Sequence, residues 1–335
     1  MRLIILIYSV FFLFLESCSK TIIPVSDTSQ KILGADISWL PELEDQQKVF
    51  SDNNKTADAM QILQNHGFNY IRLRIFVNPS NPNGYSPQKN YCDISQTIKM
   101  IKRAKMLGYK TLLDFHYSDT WADPAHQTIP LSWSNISTNA LIDSIQNYTY
   151  QTLQTLKNQQ CLPDMVQMGN EINNGILWKQ GYIDSLNNLA NLLKAGIKGV
   201  KLVQESMPIM LHIALGGNNG LSKYFLDNMI NRGVQFDIIG QSYYPKWHGT
   251  IQDLKANLEN LSKTYKQSII IVEYSKLKKE VNEVAFSLPN NKYKGTFVWE
   301  PLNYWNDEAE PIFDENGKSN NLFQIYDQIK NTYLK

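Results

Sequence analysis

From residue 32 onward the sequence predicts a single (β/α)8 TIM barrel, an α/β fold, on three observations. Short β-branched or apolar runs alternate with amphipathic stretches of helical period, the pattern of parallel βαβ units. Eight such runs occur, with no break in composition and no long Pro/Ser linker between them. The residues that end the runs are unusually polar, as expected where a barrel carries its site at the C-terminal ends of its strands. A length of 335 residues would allow two domains, but one α/β barrel commonly takes about 250 residues or more, so 32–335 reads as one unit.

The predicted strands are 32–38, 70–76, 111–117, 165–171, 209–215, 237–243, 268–274 and 295–300. Helices are expected between them, the clearest at 56–66, 94–107 and 221–232. Each of these is followed by a glycine (Gly67, Gly108, Gly233) where a helix must turn back into the next strand. Composition is that of a soluble globular protein, 43% hydrophobic and 19% charged, with a core that needs no staple. A net charge of +1 gives no electrostatic reason to expect nucleic acid or an anionic membrane, and a neutral ligand fits better. No GxGxxG or GxxxxGK[ST] segment follows any strand, so no nucleotide cofactor is expected.

Residues 1–17 read as a signal peptide: Met1-Arg2 gives a basic start and 3–15 an apolar run too short to span comfortably. Leu15-Glu16-Ser17-Cys18 resembles a bacterial lipobox, with Glu16 an atypical occupant. Cys18 is therefore expected to carry lipid, with ordinary secretion as the alternative, 18–31 to be a tether, and the protein to be exported to a bacterial cell envelope with the lipid as its only membrane contact. Cys92 and Cys161 have no metal-like spacing and read as unlinked structural thiols, with one disulfide as the alternative.

The strand ends place Arg74, Asp114, His116, Asn170, Glu171, His212, Tyr243, Tyr244, Glu273, Trp299 and Glu300 around one mouth. Glu171 and Glu273, after strands four and seven, would face each other across it. Each follows a buried run, which argues against a solvated carboxylate at the loop edge. Such a pair is what glycoside hydrolysis needs: one acid kept protonated, and one carboxylate kept ionised about 5–5.5 Å away if configuration is retained. Arg74 and a tyrosine from strand six are the expected stabilisers of that charge. Glu300 is a third carboxylate, expected to be structural or substrate-binding. All seven tryptophans (Trp39, Trp121, Trp133, Trp178, Trp247, Trp299, Trp305) fall at or after a strand's C-terminal end. Indole faces stack on sugar rings, although for any one tryptophan simple packing is an equal explanation.

Asp114 and His116 are expected to point one into the barrel and one outward unless the strand end twists. A metal site of Asp114, His116, His126 and His212 lacks an HExxH or His-x-His pair and a His pair on strand one, so histidines that hydrogen-bond along a sugar cleft are the better reading.

Gly34-Ala35-Asp36, Leu73-Arg74-Ile75-Phe76-Val77-Asn78-Pro79, the run from Leu113-Asp114-Phe115-His116 through Tyr117-Ser118-Asp119-Thr120-Trp121-Ala122-Asp123-Pro124, Gly169-Asn170-Glu171-Ile172, Ile239-Gly240-Gln241-Ser242-Tyr243-Tyr244-Pro245 and Val298-Trp299-Glu300-Pro301 resemble glycoside hydrolase family 53, the arabinogalactan endo-β-1,4-galactanases. The resemblance runs in order through nearly the whole chain after residue 32. It implies a clan A barrel that attacks within β-1,4-galactan, such as the side chains of type I arabinogalactan in pectin, with retention of configuration. It implies Glu171 as acid/base and Glu273 as nucleophile, with Arg74, His116, Asn170 and Tyr243 or Tyr244 in support. Asn170 would hold the sugar 2-hydroxyl, and Asp114, Trp121, Asp123, His212 and Trp299 would line subsites. Some members of that family carry a structural calcium; no calcium loop is legible here. Two departures fall on the cleft rim: Glu273 is followed by Tyr274-Ser275-Lys276-Leu277-Lys278 where the family usually continues toward Tyr-Pro-Trp, and the loop 302–313 is short. A galactan-binding lipoprotein without turnover, or another clan A endo-glycosidase such as a β-mannanase, are the competing expectations.

Overall fold

A computed structural model describes residues 31–287 and 292–334. The signal peptide of 1–17, Cys18 and the tether up to residue 30 lie outside the described residues.

Eight parallel strands close a barrel in which each pairs with its neighbours in sequence and the last pairs with the first. They are β1 Ile32–Asp36, β2 Tyr70–Ile75, β3 Lys110–Phe115, β4 Met165–Met168, β5 Ile209–Ile213, β6 Ile238–Tyr243, β7 Ser268–Tyr274 and β8 Tyr293–Trp299. The helices that follow them are α1 Ala59–Asn65, α2 Ile94–Met106, α3 Thr138–Asn158, α4 Leu186–Val203, α5 Asn219–Asn231, α6 Ile251–Thr264, α7 Lys278–Ser287 and α8 Phe323–Tyr333. Two short helices, Leu40–Asp45 and Pro245–His248, sit in the loops after β1 and β6.

Local sequence sets the boundaries. Side-chain oxygens of Asp58, Asp93, Ser137 and Asn218 accept backbone N–H bonds at the starts of α1, α2, α3 and α5, and Thr250 and Asp253 form a reciprocal capping box on α6. The glycines expected to stop three helices lie at positive φ: 95° at Gly67, 83° at Gly108 and 77° at Gly233. Several strands end earlier than the sequence suggests. The largest difference is in β4, which stops at Met168, because the backbone turns to positive φ at Gly169 (82°) and again at Glu171 (φ 49°, ψ 52°).

The barrel interior is layered. Its floor is apolar and takes a residue from every strand: Ile32, Tyr70, Leu112, Met165, Met210, Ile238, Ile270 with Val272, and Phe297. Two or four residues further along β1 to β6, on the same face, the lining turns polar: Asp36, Arg72, Asp114, Gln167, His212 and Ser242. Between β6 and β7 the register shifts, so that Ser242 pairs with Glu273 where Gln241 paired with Ile271. The extra residue lets Val272 join the floor while Glu273 reaches the polar layer. Outside the strands a second apolar layer packs the helices against the sheet. Cys92 and Cys161 are buried in the protein and unlinked.

Phe297 fills the floor beside β1 because Gly34 has no side chain: a Cβ there would stand 2.2 Å from Phe297 Cδ1. Phe297→Ala should lower unfolding free energy by about 3–5 kcal/mol, read from urea denaturation. Gly34→Ala should also destabilise, and less so when combined with Phe297→Leu.

Candidate active site

Arg72 stands at the centre of the polar layer, 1% exposed. Its Nε donates to Gln167 Oε1 at 3.2 Å. Nη1 donates to Asp36 Oδ2 at 3.1 Å and Glu273 Oε2 at 3.0 Å, and Nη2 to Asp114 Oδ2 and Asn170 Oδ1, both at 2.8 Å. All five guanidinium hydrogens therefore have acceptors. Burial alone would lower its pKa, but Asp114, Asp36 and Glu273 raise it above its usual value, so it stays charged.

The expected stabiliser, Arg74, is elsewhere. It lies on the same face of β2 but two residues nearer the mouth, donates from Nη1 to Glu300 Oε1 at 2.6 Å, and stacks 4.3 Å from the centre of the Trp121 ring. Burial pushes Glu300 up to about 8, against the pull of Arg74. The sequence carried the signal for Arg72, since residues 72 and 74 share a face; only the depth was misjudged. The same rule corrects the expectation for Asp114 and His116. Both point inward, with His116 Nε2 3.1 Å from Asp114 Oδ2, while His116 Nδ1 accepts from the Ala122 N–H at 3.1 Å. Burial tends to raise Asp114, yet Arg72 and His116 bring it below the usual carboxylate range.

Of the two tyrosines, Tyr244 faces the site. Its hydroxyl donates to Glu273 Oε1 at 3.0 Å. Tyr243 points away, is fully buried among the outer apolar layer and donates to Gly249 O at 3.1 Å.

Glu171 and Glu273 are both buried, 8% and 7% exposed, and a carboxylate oxygen of each lies within 4.8 Å of the other's. Their settings differ. Glu273 receives Arg72 on one oxygen and Tyr244 on the other; burial still leaves it raised, but these two partners pull against that push. Glu171 has Ser242 Oγ at 2.6 Å and no cation bonded to it; burial and then the charge of Glu273 hold it well above the usual range. Ser242 is set by His212. His212 Nδ1 lies 2.9 Å from Asn170 Oδ1 and faces the N–H groups of Glu171 and Gln167 at 3.3 and 3.1 Å, while Nε2 shares a hydrogen bond of 2.7 Å with Ser242 Oγ. Burial, then Arg72, depress His212 well below its usual pKa, which keeps it neutral. One atom each of Glu171, His212 and Glu273 lies within 4.8 Å of the others. With both ring nitrogens of His212 engaged, no lone pair is left there for an ion. His126 pairs with Asp123 at the exposed rim, 3.0 Å away, and not with His116 or His212.

Above the pair opens a cleft of about 790 Å³. Five of the seven tryptophans line it: Trp39, Trp121, Trp247, Trp299 and Trp305. Trp39, Trp121 and Trp299 pack against one another at 5.4–6.1 Å, and Trp305 meets Trp299 at 4.6 Å. Trp133 instead packs on Tyr148 and Trp178 on Tyr182. Asp123 is on the cleft wall, and Asn170 Nδ2 donates to Ala122 O at 2.8 Å. Asp36, Arg72, Gln167 and Ser242 were not singled out from the sequence as site residues. The two departures after β7 and β8 complement each other: buried Lys278 pairs with Glu310 at 3.0 Å, and Ser275 Oγ accepts from the Glu310 N–H at 3.0 Å.

Fold and site together define a (β/α)8 barrel with a tryptophan-walled cleft over a buried carboxylate pair. Residues 32–284 match the profile of glycosyl hydrolase family 53, and the chain belongs to that family, which places it among the glycoside hydrolases. It is 37% identical over 262 residues to a probable arabinogalactan endo-beta-1,4-galactanase A of Aspergillus terreus, covering 75% of this chain and 73% of that one. It is 34% identical over 247 residues to an endo-beta-1,4-galactanase of Bacillus subtilis, covering 73% and 56%. The match thus spans little more than half of the Bacillus relative. Among solved structures, the Ignisphaera aggregans GH53 catalytic domain superposes with a TM-score of 0.83 at 29% identity, covering 90% of this chain and 96% of that one.

The carboxyl titrations can be tested without turnover. By 13C NMR of labelled carboxyl groups, Glu273→Gln should lower the Glu171 midpoint, because a raising charge is removed. Ser242→Ala should raise it, because a bond to the ionised form is lost. Shifts of opposite sign would refute the assignment of causes.

Proposed function

We propose that this chain is a retaining endo-β-1,4-galactanase acting on β-1,4-galactan such as the type I arabinogalactan side chains of pectin. The observation that carries this reading is the carboxylate pair: two buried glutamates with oxygens within 4.8 Å, one held by a guanidinium and a phenol, the other without a cation. That spacing suits direct attack on the sugar and leaves no room for an intervening water. The names of the family 53 relatives support the linkage.

In this mechanism Glu273, ionised, attacks the anomeric carbon while Glu171 gives its proton to the departing glycosidic oxygen. The glycosyl ester on Glu273 no longer carries a charge, so one of the causes that raises Glu171 disappears. Glu171 is then a better base, and takes a proton from the water that attacks the anomeric carbon, so that the bond to Glu273 breaks and Glu273 leaves as its carboxylate. Asn170 uses its carbonyl for Arg72 and one amide hydrogen for Ala122, which leaves one hydrogen for the sugar 2-hydroxyl. Tyr244 and Arg72 stabilise the departing charge of Glu273. Trp299 and Trp121 stack sugar rings, Asp123 reaches hydroxyls at the rim, and Asp114, His116 and His212 hold the other groups in place. Arg74 acts one layer out by fixing Trp121 and Glu300. No cofactor is needed for any step. Export and lipid attachment at Cys18 would place the cleft outside the membrane, where polysaccharide is met.

Reducing-sugar release from β-1,4-galactan and β-mannan tests the reading. Release from galactan alone is expected, lost in Glu273→Gln. Glu171→Gln should lose about 10²–10⁴-fold on galactan and much less on an aryl glycoside whose leaving group needs no proton. Equal small losses in both variants would overturn the roles, release from mannan alone would overturn the linkage, and tight galactan binding without release would favour a binding protein. Cys18→Ala should move the exported protein from the membrane fraction to the soluble fraction.

A further inference from the structure

The cleft does not stop at its tryptophan wall. Beyond the exposed rim residue Ala125 lies a second groove of about 620 Å³, and Ala125 borders both. One side of this groove comes from the loop after β3 and includes His126, Gln127 and Ser134; the other comes from the loop after β4, Trp178 to Gln180. The two loops form one surface. The Trp178 N–H donates to Gln127 O at 2.8 Å, and Thr128 and Trp178 pair as a parallel bridge. Asn174 Nδ2 donates to Pro124 O at 2.8 Å, on the wall of the main cleft. Gln127 reaches inward to Asn170 O at 2.8 Å, so the base of the groove is tied to the residue before Glu171.

The Trp178 ring is held in place before any ligand arrives. Its Nε1 donates to Asn174 O at 3.0 Å, and Tyr182 meets it edge-on at 5.1 Å and 73°. The indole's polar atom is thus used within the protein, and what remains for the groove is apolar ring surface. Around it stand neutral hydrogen-bonding groups of Gln180 and Ser134, with Lys179 and His126 at the edges. A fixed aromatic surface flanked by neutral donors and acceptors suits a sugar ring, whose faces are C–H and whose edges are hydroxyl.

We propose that this groove is a distal subsite for the leaving-group end of the polysaccharide, with Trp178 as its stacking platform. The proposal rests on the galactanase reading above and fixes a direction. Glu171 must stand beside the glycosidic oxygen it protonates, so the leaving sugars pass on its side. From there the cleft wall of Asp123, Pro124 and Ala125 continues into the groove. A chain that occupies both places is held on the acid side over several residues, which makes cleavage internal to the polymer.

The test compares kcat/KM on β-1,4-galactan with kcat/KM on p-nitrophenyl β-1,4-galactobioside, whose aryl group fills only the first leaving-group position. Their ratio does not depend on the fraction of enzyme that is folded. Trp178→Ala should lower the ratio about five- to tenfold, and Trp178→Phe should restore most of it. Gln180→Ala should lower it less. A ratio within twofold of wild type in Trp178→Ala overturns the subsite. If the wild type cleaves mannan and not galactan, the linkage reading alone falls, and the same ratio measured with mannan and its aryl glycoside decides the groove.

Discussion

Everything at the mouth of this barrel depends on a guanidinium with no spare hydrogen. Taking Arg72 out of water costs several kcal/mol, and the cost is offset only because five acceptors surround it in the right directions. Those acceptors come from β1, β2's neighbour β3, β4, the turn after β4, and β7. A displacement of any of these strands would leave a buried donor or a buried carboxylate unpaired, so the ion cluster and the closure of the barrel constrain each other. The apolar floor beneath it is the other half of the arrangement. It keeps water from the underside of the cluster and gives each strand a fixed height from which its polar residue projects.

The charge balance of that cluster explains why two glutamates so close together differ. Asp36, Asp114 and Glu273 share Arg72, so the centre already carries more negative than positive charge when all three are ionised. A fourth carboxylate at Glu171 finds no cation left to bond, only a serine hydroxyl whose orientation is set by a neutral histidine. The asymmetry is thus a matter of supply: one guanidinium serves one wall of the pair. It would persist through modest changes at the rim, since none of its members is a rim residue.

Sequence patterning reveals the parts of this fold that depend on local chemistry. All eight strands are legible because each is a β-branched or apolar run, and the helix ends because glycine follows at Gly67, Gly108 and Gly233. The positions of Glu171 and Glu273 at the mouth are legible because each ends such a run. What was missed is depth and phase. Arg72 and Arg74 look alike in sequence, and only the pairing of Arg72 with Asp36 across β1 and β2 sets which one lies at the level of Glu273. Tyr243 and Tyr244 are adjacent, so one must face out; which one depends on the phase of β6, and β6 ends beside a register shift. Asp114 and His116 needed nothing beyond the two-residue period of a strand, which puts them on one face.

The rim follows a different logic from the floor. Trp39, Trp121 and Trp299 come from three loops or strand ends and support each other, Trp121 edge-on to both partners and Trp39 tilted against Trp299, so this part of the wall is built once the barrel has closed. Trp305 belongs to the short loop after β8, and that loop is anchored from beneath by Lys278, a lysine with almost no exposed surface, through Glu310. Burial brings Lys278 down to about 8, against the pull of Glu310, so near neutral pH it still bears the charge that the pair requires. Trp305 meets Trp299 on the aromatic wall, and the lysine ties its loop to the turn after β7. The loops after β7 and β8 are thus fixed to each other by that ion pair and by the bond from the Glu310 N–H to Ser275 Oγ.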